Sequence, residues 1–457
     1  MSQSEQLLKG ETEEIGMSEL QSRTSVANRL NRLPTTSFHR RTMWILGFVF
    51  FFDMADINTL AYASPAIMKF WHIPVSSIAL LSSATFAGMF VGSTLGGWIS
   101  DRIGRKRSLL LMTLSYSVFS LLNAAAWDPT TLFVTRLLTG AGISAMTVVG
   151  IAYISEIYPA RVRGSFQGWI MLIGLFGVPA TAFVARLCVP LAPWGWRLVF
   201  VWGALGILFP MFYGKLEESA RWYETRGRFE DANAVVARIE AQVEREAGSL
   251  PVPIDLADTT PQGGNFRDLF GKAYFPRTSV LVFSWICLTL GFFGFTSWVP
   301  TLLVAHGFSL VRSLTWSSAM SLATIPGAML AAIVSDRFDR KWSITLVAVI
   351  VAICGAIYGL SFQVGFIVVF GFLVEMFLHT FMPLVYAYTA ESFPSGVRNS
   401  GTGLAYGAGR LANVAGPLII AYIFRRFGYV SVFVYFSAIW MLTAFSVGFF
   451  GMKSKDL

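Results

Sequence analysis

Six ionisable side chains sit where ionisable side chains are expensive. Asp53, Asp56, Arg136, Glu375, His379 and Arg410 each fall inside a long, mostly apolar run. A charge at bilayer depth is costly enough that such a group is a functional candidate by default. Asp53 and Asp56 are three apart, and Glu375 and His379 four apart, so on helices each pair shares one face. At a rise of ~1.5 Å per residue, both pairs lie near the middle of their runs, as does Arg410. Arg136 lies in the outer half of its run, roughly 9 Å from the middle, close enough for a long side chain to reach a carboxylate on the first run. A carboxylate at that depth resists ionisation, and a neighbouring guanidinium holds it ionised until a proton or a ligand releases the pair. The freed Arg136, or Arg410, then attracts an organic anion, and Trp298, Tyr386 and Tyr388 offer faces for a ring. The plainer readings are a buried ion pair that fixes helix packing, a core histidine at His379, Arg410 paired within its own half, and aromatics that only pack.

Those residues need a scaffold that lives in lipid. The chain has 457 residues, 54% hydrophobic and 13% charged, with 40 Phe and 14 Trp. Soluble domains carry about 25% charged residues. The net charge of +9 fits basic loops on the cytoplasmic face and comes with no nucleic-acid motif. Cys188, Cys287 and Cys354 lie in apolar runs without metal-ligand or disulfide spacing. There is no phosphate-binding loop, nucleophile elbow or zinc-spaced histidine pair. The chemistry expected is therefore not enzymatic and uses no cofactor or metal. The N-terminus shows no cleavage pattern, so the first apolar run reads as a retained helix.

Spanning a bilayer takes ~20 mostly apolar residues. Such runs begin near Met43, Ser77, Leu109, Leu132, Phe166, Arg197, Thr278, Arg312, Ser343, Val364, Gly401 and Val430. The fold expected is an all-α membrane protein of twelve transmembrane helices in two pseudo-symmetric six-helix bundles. Its parts are a tail (1–42), an N-terminal bundle (43–214), a linker with short amphipathic helices (215–277), a C-terminal bundle (278–450) and a short tail (451–457). Basic residues cluster on one side: Arg40, Arg41, Arg102, Arg105, Lys106, Arg107, Arg161, Arg163, Arg337, Arg340 and Lys341. By the positive-inside rule both termini and the linker are cytoplasmic, in a cell inner (plasma) membrane.

The halves are repeats. Ser100-Asp-Arg-Ile-Gly-Arg-Lys-Arg-Ser108 matches Ser335-Asp-Arg-Phe-Asp-Arg-Lys-Trp-Ser343, and Ala152-Tyr-Ile-Ser-Glu-Ile-Tyr-Pro159 matches Ala387-Tyr-Thr-Ala-Glu-Ser-Phe-Pro394. Asp101 and Asp336 are 235 positions apart, and so are Glu156 and Glu391. One register for two motifs marks a parallel duplication, with a substrate site expected at the interface of the halves. What repeats reads as scaffold or gate: Asp101, Arg105, Glu156 and Arg163 in one copy, Asp336, Arg340, Glu391 and Arg398 in the other. Opposite charges there can pair between helices to close one end. The second copy has Asp339 where the first has Gly104, so its loop is expected to turn differently. The midplane groups do not repeat: Asp53 aligns with Leu288, Asp56 with Gly291, Arg136 with Gly371 and Glu375 with Gly140.

Gly96-Gly-Trp-Ile-Ser-Asp-Arg-Ile-Gly-Arg-Lys-Arg107 resembles the signature loop of the major facilitator superfamily, and Arg136-Leu-Leu-Thr-Gly140 its fourth-helix motif. Glu156, Pro159, Arg163, Gly164 and Glu218-Ser-Ala-Arg-Trp222 resemble the sugar-porter-like branch. Glu217 and Ala220 stand where that branch has prolines, which argues against a sugar. Asp53-Met-Ala-Asp56 resembles the Asp-x-x-Asp of aromatic acid:proton symporters, a group that nicotinate transporters also resemble. The resemblance implies a monomeric secondary transporter that takes up a small organic acid, such as a hydroxybenzoate or nicotinate, with protons. Asp53, Asp56, Arg136, Glu375 and His379 would couple the proton, and Arg136, Arg410, Trp298, Tyr386 and Tyr388 would bind the substrate. Gly174-Leu-Phe-Gly-Val-Pro179 partly resembles an antiporter motif, so efflux of cations or drugs is the alternative. A sensor without flux and an uncoupled facilitator are further readings.

Overall fold

The structure, a computed structural model, describes residues 25–252, 266–272, 274–361, 363–394 and 396–452. Expectations for residues 1–24, 253–265 and 453–457, and for the Asp336 side chain, fall outside the described residues. Those described are helical, with no strand among them. Among the described residues twelve helices are long and apolar enough to cross a membrane. A short helix, α1 (Val26–Asn31), precedes them. The first six are α2 (Ser37–Trp71), α3 (Val75–Ile103), α4 (Arg105–Ala125), α5 (Pro129–Ile157), α6 (Ala160–Leu191) and α7 (Trp196–Tyr213). Two linker helices follow, α8 (Ala220–Thr225) and α9 (Phe229–Ala247). The second six spans are α10 (Phe275–Thr296), α12 (Leu310–Ser335), α13 (Arg340–Leu360), α14 (Val364–Glu391), α15 (Arg398–Phe427) and α16 (Tyr429–Phe450). The short α11 (Val299–Ala305) continues α10.

Eleven of the twelve spans start before the apolar run that announces them; only α14 starts at its predicted residue, Val364. Helical hydrogen bonding continues past the apolar stretch into polar ends, where local caps decide the boundary. The Asp128 side chain caps α5 by accepting from Thr131 N, with Pro129 in the first turn. Gly104, at φ 98°, joins α3 to α4 in a conformation that disfavours a side chain. In the second copy Asp339 keeps φ at −59° and caps α13 by accepting from Lys341 N and Trp342 N. The two equivalent loops turn by different chemistry.

Small residues draw the first bundle together. A Cβ added at Gly88 or Gly92 of α3 would lie 1.9 Å from Leu137 O or 2.0 Å from Ala141 O of α5. Only glycines permit that approach, the usual way helices pack tightly in lipid. Outward faces carry Leu95, Leu111, Leu122, Phe183, Leu346, Ile353, Leu442 and Phe445, all exposed. A surface so apolar needs lipid to cover it.

The end carrying α8 and α9 is called the linker end here, and the other the far end. At the far end the halves are joined: Arg186 on α6 donates to Thr315 on α12 at 2.5 Å, and Ser318 to the Ala182 carbonyl at 2.9 Å. Deeper in the interface, Phe86 on α3 meets Phe293 on α10 with centroids 4.9 Å apart.

Candidate functional site

The first bundle buries a charged network. Asp53, Asp56 and Arg136 are fully enclosed. Arg136 on α5 places Nη1 3.8 Å from Asp56 Oδ2 on α2. Its Nε donates to Thr85 Oγ1 on α3 at 3.1 Å and its Nη1 to Thr59 Oγ1 at 3.3 Å. Asp56 Oδ1 accepts a short hydrogen bond from Ser120 on α4. Gly203 admits α7 to the same spot, since a Cβ there would fall 2.4 Å from Asp56 Oδ1. Five helices thus fix one ion pair, and the side chain that charges α5 is held by hydroxyls as well as by its counter-ion.

Asp53, one turn nearer the linker end, is arranged differently. Its Oδ2 accepts from Thr147 Oγ1 on α5 at 3.2 Å. Its Oδ1 is buried and has no hydrogen-bond partner among the described residues. Thr147 lies three residues from Ser144, and Ser144 accepts from Arg410 Nη1 at 2.7 Å. Arg410 stands on α15, so this bond crosses from one half to the other. Its other amino group donates to the Tyr406 hydroxyl in a short bond, and its guanidinium carbon lies 4.8 Å from that ring's centroid. The second half presents a half-buried cation to the helix face that holds the unpaired carboxylate.

Beside Arg410 stands a box of rings. Trp285 on α10 lies 4.8 Å from Tyr386 on α14 and 5.2 Å from Tyr406, centroid to centroid. Tyr386 and Tyr406 are 5.8 Å apart, and Tyr386 is 46% exposed. Trp285 is oriented by its Nε1–H, which donates to Thr389 Oγ1 at 2.9 Å. The arrangement offers a positive group, a hydroxyl and aromatic faces at one open-sided place.

Not every residue singled out in the sequence joins it. Tyr386 does. Tyr388 is bonded to the backbone just past α16, donating to Met452 O at 3.1 Å and accepting from Met452 N at 2.7 Å. Trp298 is buried at the start of α11, in an apolar cluster shared by both halves. Glu375 and His379 make a separate pair on α14, Oε2 to Nδ1 at 3.6 Å, with Phe292 5.2 Å from the imidazole centroid. The geometry gives them no contact with Arg410.

The loop residues sort by half. Arg105 reaches Asp101 at 2.7 Å and Glu156 at 3.0 Å. Arg340 makes a close pair with Glu391. Among the described residues Arg163 and Arg398 pair with no carboxylate; they donate to the Tyr158 carbonyl at 3.4 Å and the Phe393 carbonyl at 3.2 Å. All these contacts stay within one half.

Residues that sequence reasoning passed over are Thr59, Thr85, Ser120, Ser144, Thr147, Trp285 and Tyr406. One signal was present. Arg136, Gly140, Ser144 and Thr147 follow helical spacing along a single face of α5, and Tyr406 sits one turn before Arg410.

Comparison with known proteins places this architecture. The profile of the Sugar (and other) transporter family matches residues 40–457. The chain belongs to that family. Among its relatives, a putative metabolite transport protein, YyaJ, of Bacillus subtilis (strain 168) is 43% identical over 94% of this chain and 96% of its own. The niacin transporter NiaP of Acinetobacter baylyi (strain ATCC 33305 / BD413 / ADP1) is 29% identical over 94% of this chain and 98% of its own. The xylose transporter XylE from E. coli, in a partially occluded inward open conformation, superposes with a TM-score of 0.71 at 17% identity, covering 92% of this chain and 99% of that one. The family member described here is thus a multi-pass membrane transporter of the major facilitator fold and not an enzyme. These relatives favour metabolite transport over efflux.

Proposed function

We propose that this transporter takes up a small organic acid with protons, and that the acid is an aromatic carboxylate such as a hydroxybenzoate or nicotinate. The observation that carries the reading is the contact of Arg410 with Ser144 across the halves, beside the Trp285–Tyr386–Tyr406 box and on the α5 face that holds Asp53. A carboxylate takes a charge-assisted bond from Arg410 while its ring lies against the aromatic faces. The niacin transporter among the relatives supports an aromatic acid, as does Asp53-Met-Ala-Asp56.

Asp53 is the proton carrier in this account. Of the two buried aspartates of the first half it is the one without a guanidinium in ion-pair reach among the described residues, and ionising it unpaired in an apolar site is costly. Asp56 and Arg136 position α2 against α5 and respond to it. Glu375 and His379 form a second acid–base pair in the other half that assists the coupling. Substrate binding brings an anion to Arg410, the halves rock about the fixed site, and proton and anion leave on the other side. The closed far end and the gate pairs held within their own halves fit a carrier open toward the linker end, which is cytoplasmic with both termini under the positive-inside rule. The surrounding membrane is the cell inner membrane, and one chain holds the complete site.

The test is a thermal-shift screen of the purified protein against hydroxybenzoates, nicotinate, aliphatic acids, sugars and cationic drugs. A ligand at a hundredfold excess over Kd stabilises by about 2.7 kcal/mol, and the aromatic acids are expected to give the largest shift. Stabilisation by sugars alone, or by cations alone, overturns the reading; the second result restores the efflux alternative.

A further inference from the structure

The helices outside the spans hold a polar centre that transport of the acid does not use. Glu240 on α9 is buried, and both of its oxygens are engaged. Arg29 donates to it through Nε at 3.2 Å and Nη2 at 2.5 Å, and Arg32 through Nη2 at 2.6 Å. Arg29 Nη1 also donates to Asn233 Oδ1 at 2.8 Å. Around this clamp, Val26, Leu30 and Leu33 join Val235, Val236, Ile239 and Val243 in one apolar cluster. A helix of six residues such as α1 has no stability of its own in water; docking orders it.

The docked helix is fastened on its other side too. Asn31 Oδ1 accepts from Ala160 N at 2.9 Å and Leu33 O from Arg161 at 3.0 Å, both at the start of α6. Val26 N donates to Glu224 on α8 at 3.2 Å. From α8 the ties run to the signature loop. Trp222 Nε1 donates to Asp101 O at 2.7 Å, and Arg226 donates to the same carbonyl. Glu218 Oε1 accepts from Lys106 N at 2.8 Å, just after the Gly104 turn, and the Tyr153 hydroxyl donates to Glu217 O at 2.5 Å. Each of these bundle partners belongs to the first half. Asp101, whose carbonyl is capped from the linker, is the residue whose carboxylate holds Arg105.

We propose that α1 is a strap, with Glu240 as its buckle, that locks the α8–α9 cap onto the first half. The cap then travels with that half and keeps the α3–α4 turn in register, and with it the Asp101–Arg105–Glu156 set. Burying a carboxylate between two guanidiniums gains little stability over an apolar contact; what it fixes is registry, because a slipped α1 leaves the Glu240 charge unpaired. The strap stays fastened throughout the cycle. Only the kinetic part of this proposal rests on the transport reading above.

The test uses the full chain in lipid nanodiscs, with Arg29→Ala/Arg32→Ala, the milder Glu240→Gln, and Arg228→Ala as a control at the exposed Arg228–Asp231 pair. Backbone hydrogen exchange is followed by mass spectrometry. In the double variant, residues 229–247 and 101–106 exchange faster by on the order of tenfold, while α2 and α5 keep their protection; Glu240→Gln shows the same pattern more weakly. Unchanged exchange at 229–247 overturns the strap, and faster exchange there with an unchanged 101–106 overturns its link to the turn. Should the double variant fail to fold, Arg29→Cys/Glu240→Cys, in a chain with its native cysteines replaced, is bridged by a short bifunctional thiosulfonate. The bridged protein, its strap refastened, should take up nicotinate in proteoliposomes at least as fast as the unbridged one. Uptake lost on bridging and restored by reductant overturns a permanently fastened strap. No nicotinate uptake by the natural protein under the same conditions counts against the substrate assignment instead.

Discussion

The two halves use the same helix positions for opposite purposes. In the first half Asp56 and Arg136 face each other across α2 and α5. At the positions 235 residues later stand Gly291 and Gly371. A Cβ at Gly291 would lie 2.5 Å from Trp440 Nε1, and one at Gly371 2.0 Å from Met320 Sδ. Where the first half holds an ion pair, the second is filled by an indole and a thioether. The second half supplies Arg410 instead, and Leu175 occupies the equivalent place in the first. Duplication preserved the scaffold, while the buried charges diverged. A site made at the interface of such halves is asymmetric, with a carboxylate from one side and a cation from the other.

The linker ends differ in the same spirit. The first half is capped by α8 and α9 around a glycine turn. In the second, residues just past α16 take part, with Lys341 Nζ donating to Gly451 O at 2.8 Å and Tyr388 bonded to Met452.

The comparison is broken most severely at the ion pair. Arg136→Ala leaves Asp56 buried without its partner and is expected to cost about 3–5 kcal/mol of stability. Adding Asp56→Asn should recover a large part of that, read as the thermal midpoint of the purified variants. If the double variant is no more stable than the single one, the two side chains are not coupled. Arg410→Ala removes the cation of the other half. It should weaken binding of an aromatic acid by roughly 1.5–3 kcal/mol, about tenfold to a hundredfold in Kd, with the thermal midpoint of the unliganded protein little changed; calorimetric titration decides. Smaller still is the contrast between gates. The Arg105–Glu156 pair is more enclosed than the Arg340–Glu391 pair, with side chains 14% and 16% exposed against 21% and 42%. Arg105→Ala is therefore expected to slow uptake more than Arg340→Ala, by up to about fivefold for partly exposed pairs worth ~1 kcal/mol. Equal initial rates in the two variants contradict this.

Much of the fold was legible because hydropathy and one 235-residue register are global signals that no local accident imitates. Helix ends were less so, since α4 begins at Arg105 in a run of basic residues and α2 at Ser37, before the apolar stretch opens. The tail helix α1 left no apolar period long enough to notice. In the site, Asp53, Asp56 and Arg136 stood out because charge is rare at that depth. Ser144 and Thr147 did not, because hydroxyls in spanning helices are common and can satisfy themselves on the preceding turn, as Thr147 also does by donating to Ile143 O at 3.0 Å. Trp298 and Tyr388 were singled out by ring type alone, which says nothing of the direction in which a side chain leaves its helix. Arg163 and Arg398 carry charges opposite to their neighbours, yet each donates to a nearby backbone carbonyl, an acceptor that residue type does not announce.

The central claim is that Asp53, the buried carboxylate facing Arg410 across the two halves, carries the proton. Its most direct test is uptake of radiolabelled nicotinate into proteoliposomes, with and without an imposed inward proton gradient, for the natural protein and Asp53→Asn. The natural protein should concentrate the label only with the gradient. The variant should lose that accumulation while still exchanging internal for external nicotinate at equal pH. Gradient-driven accumulation by Asp53→Asn at the natural rate would contradict the account.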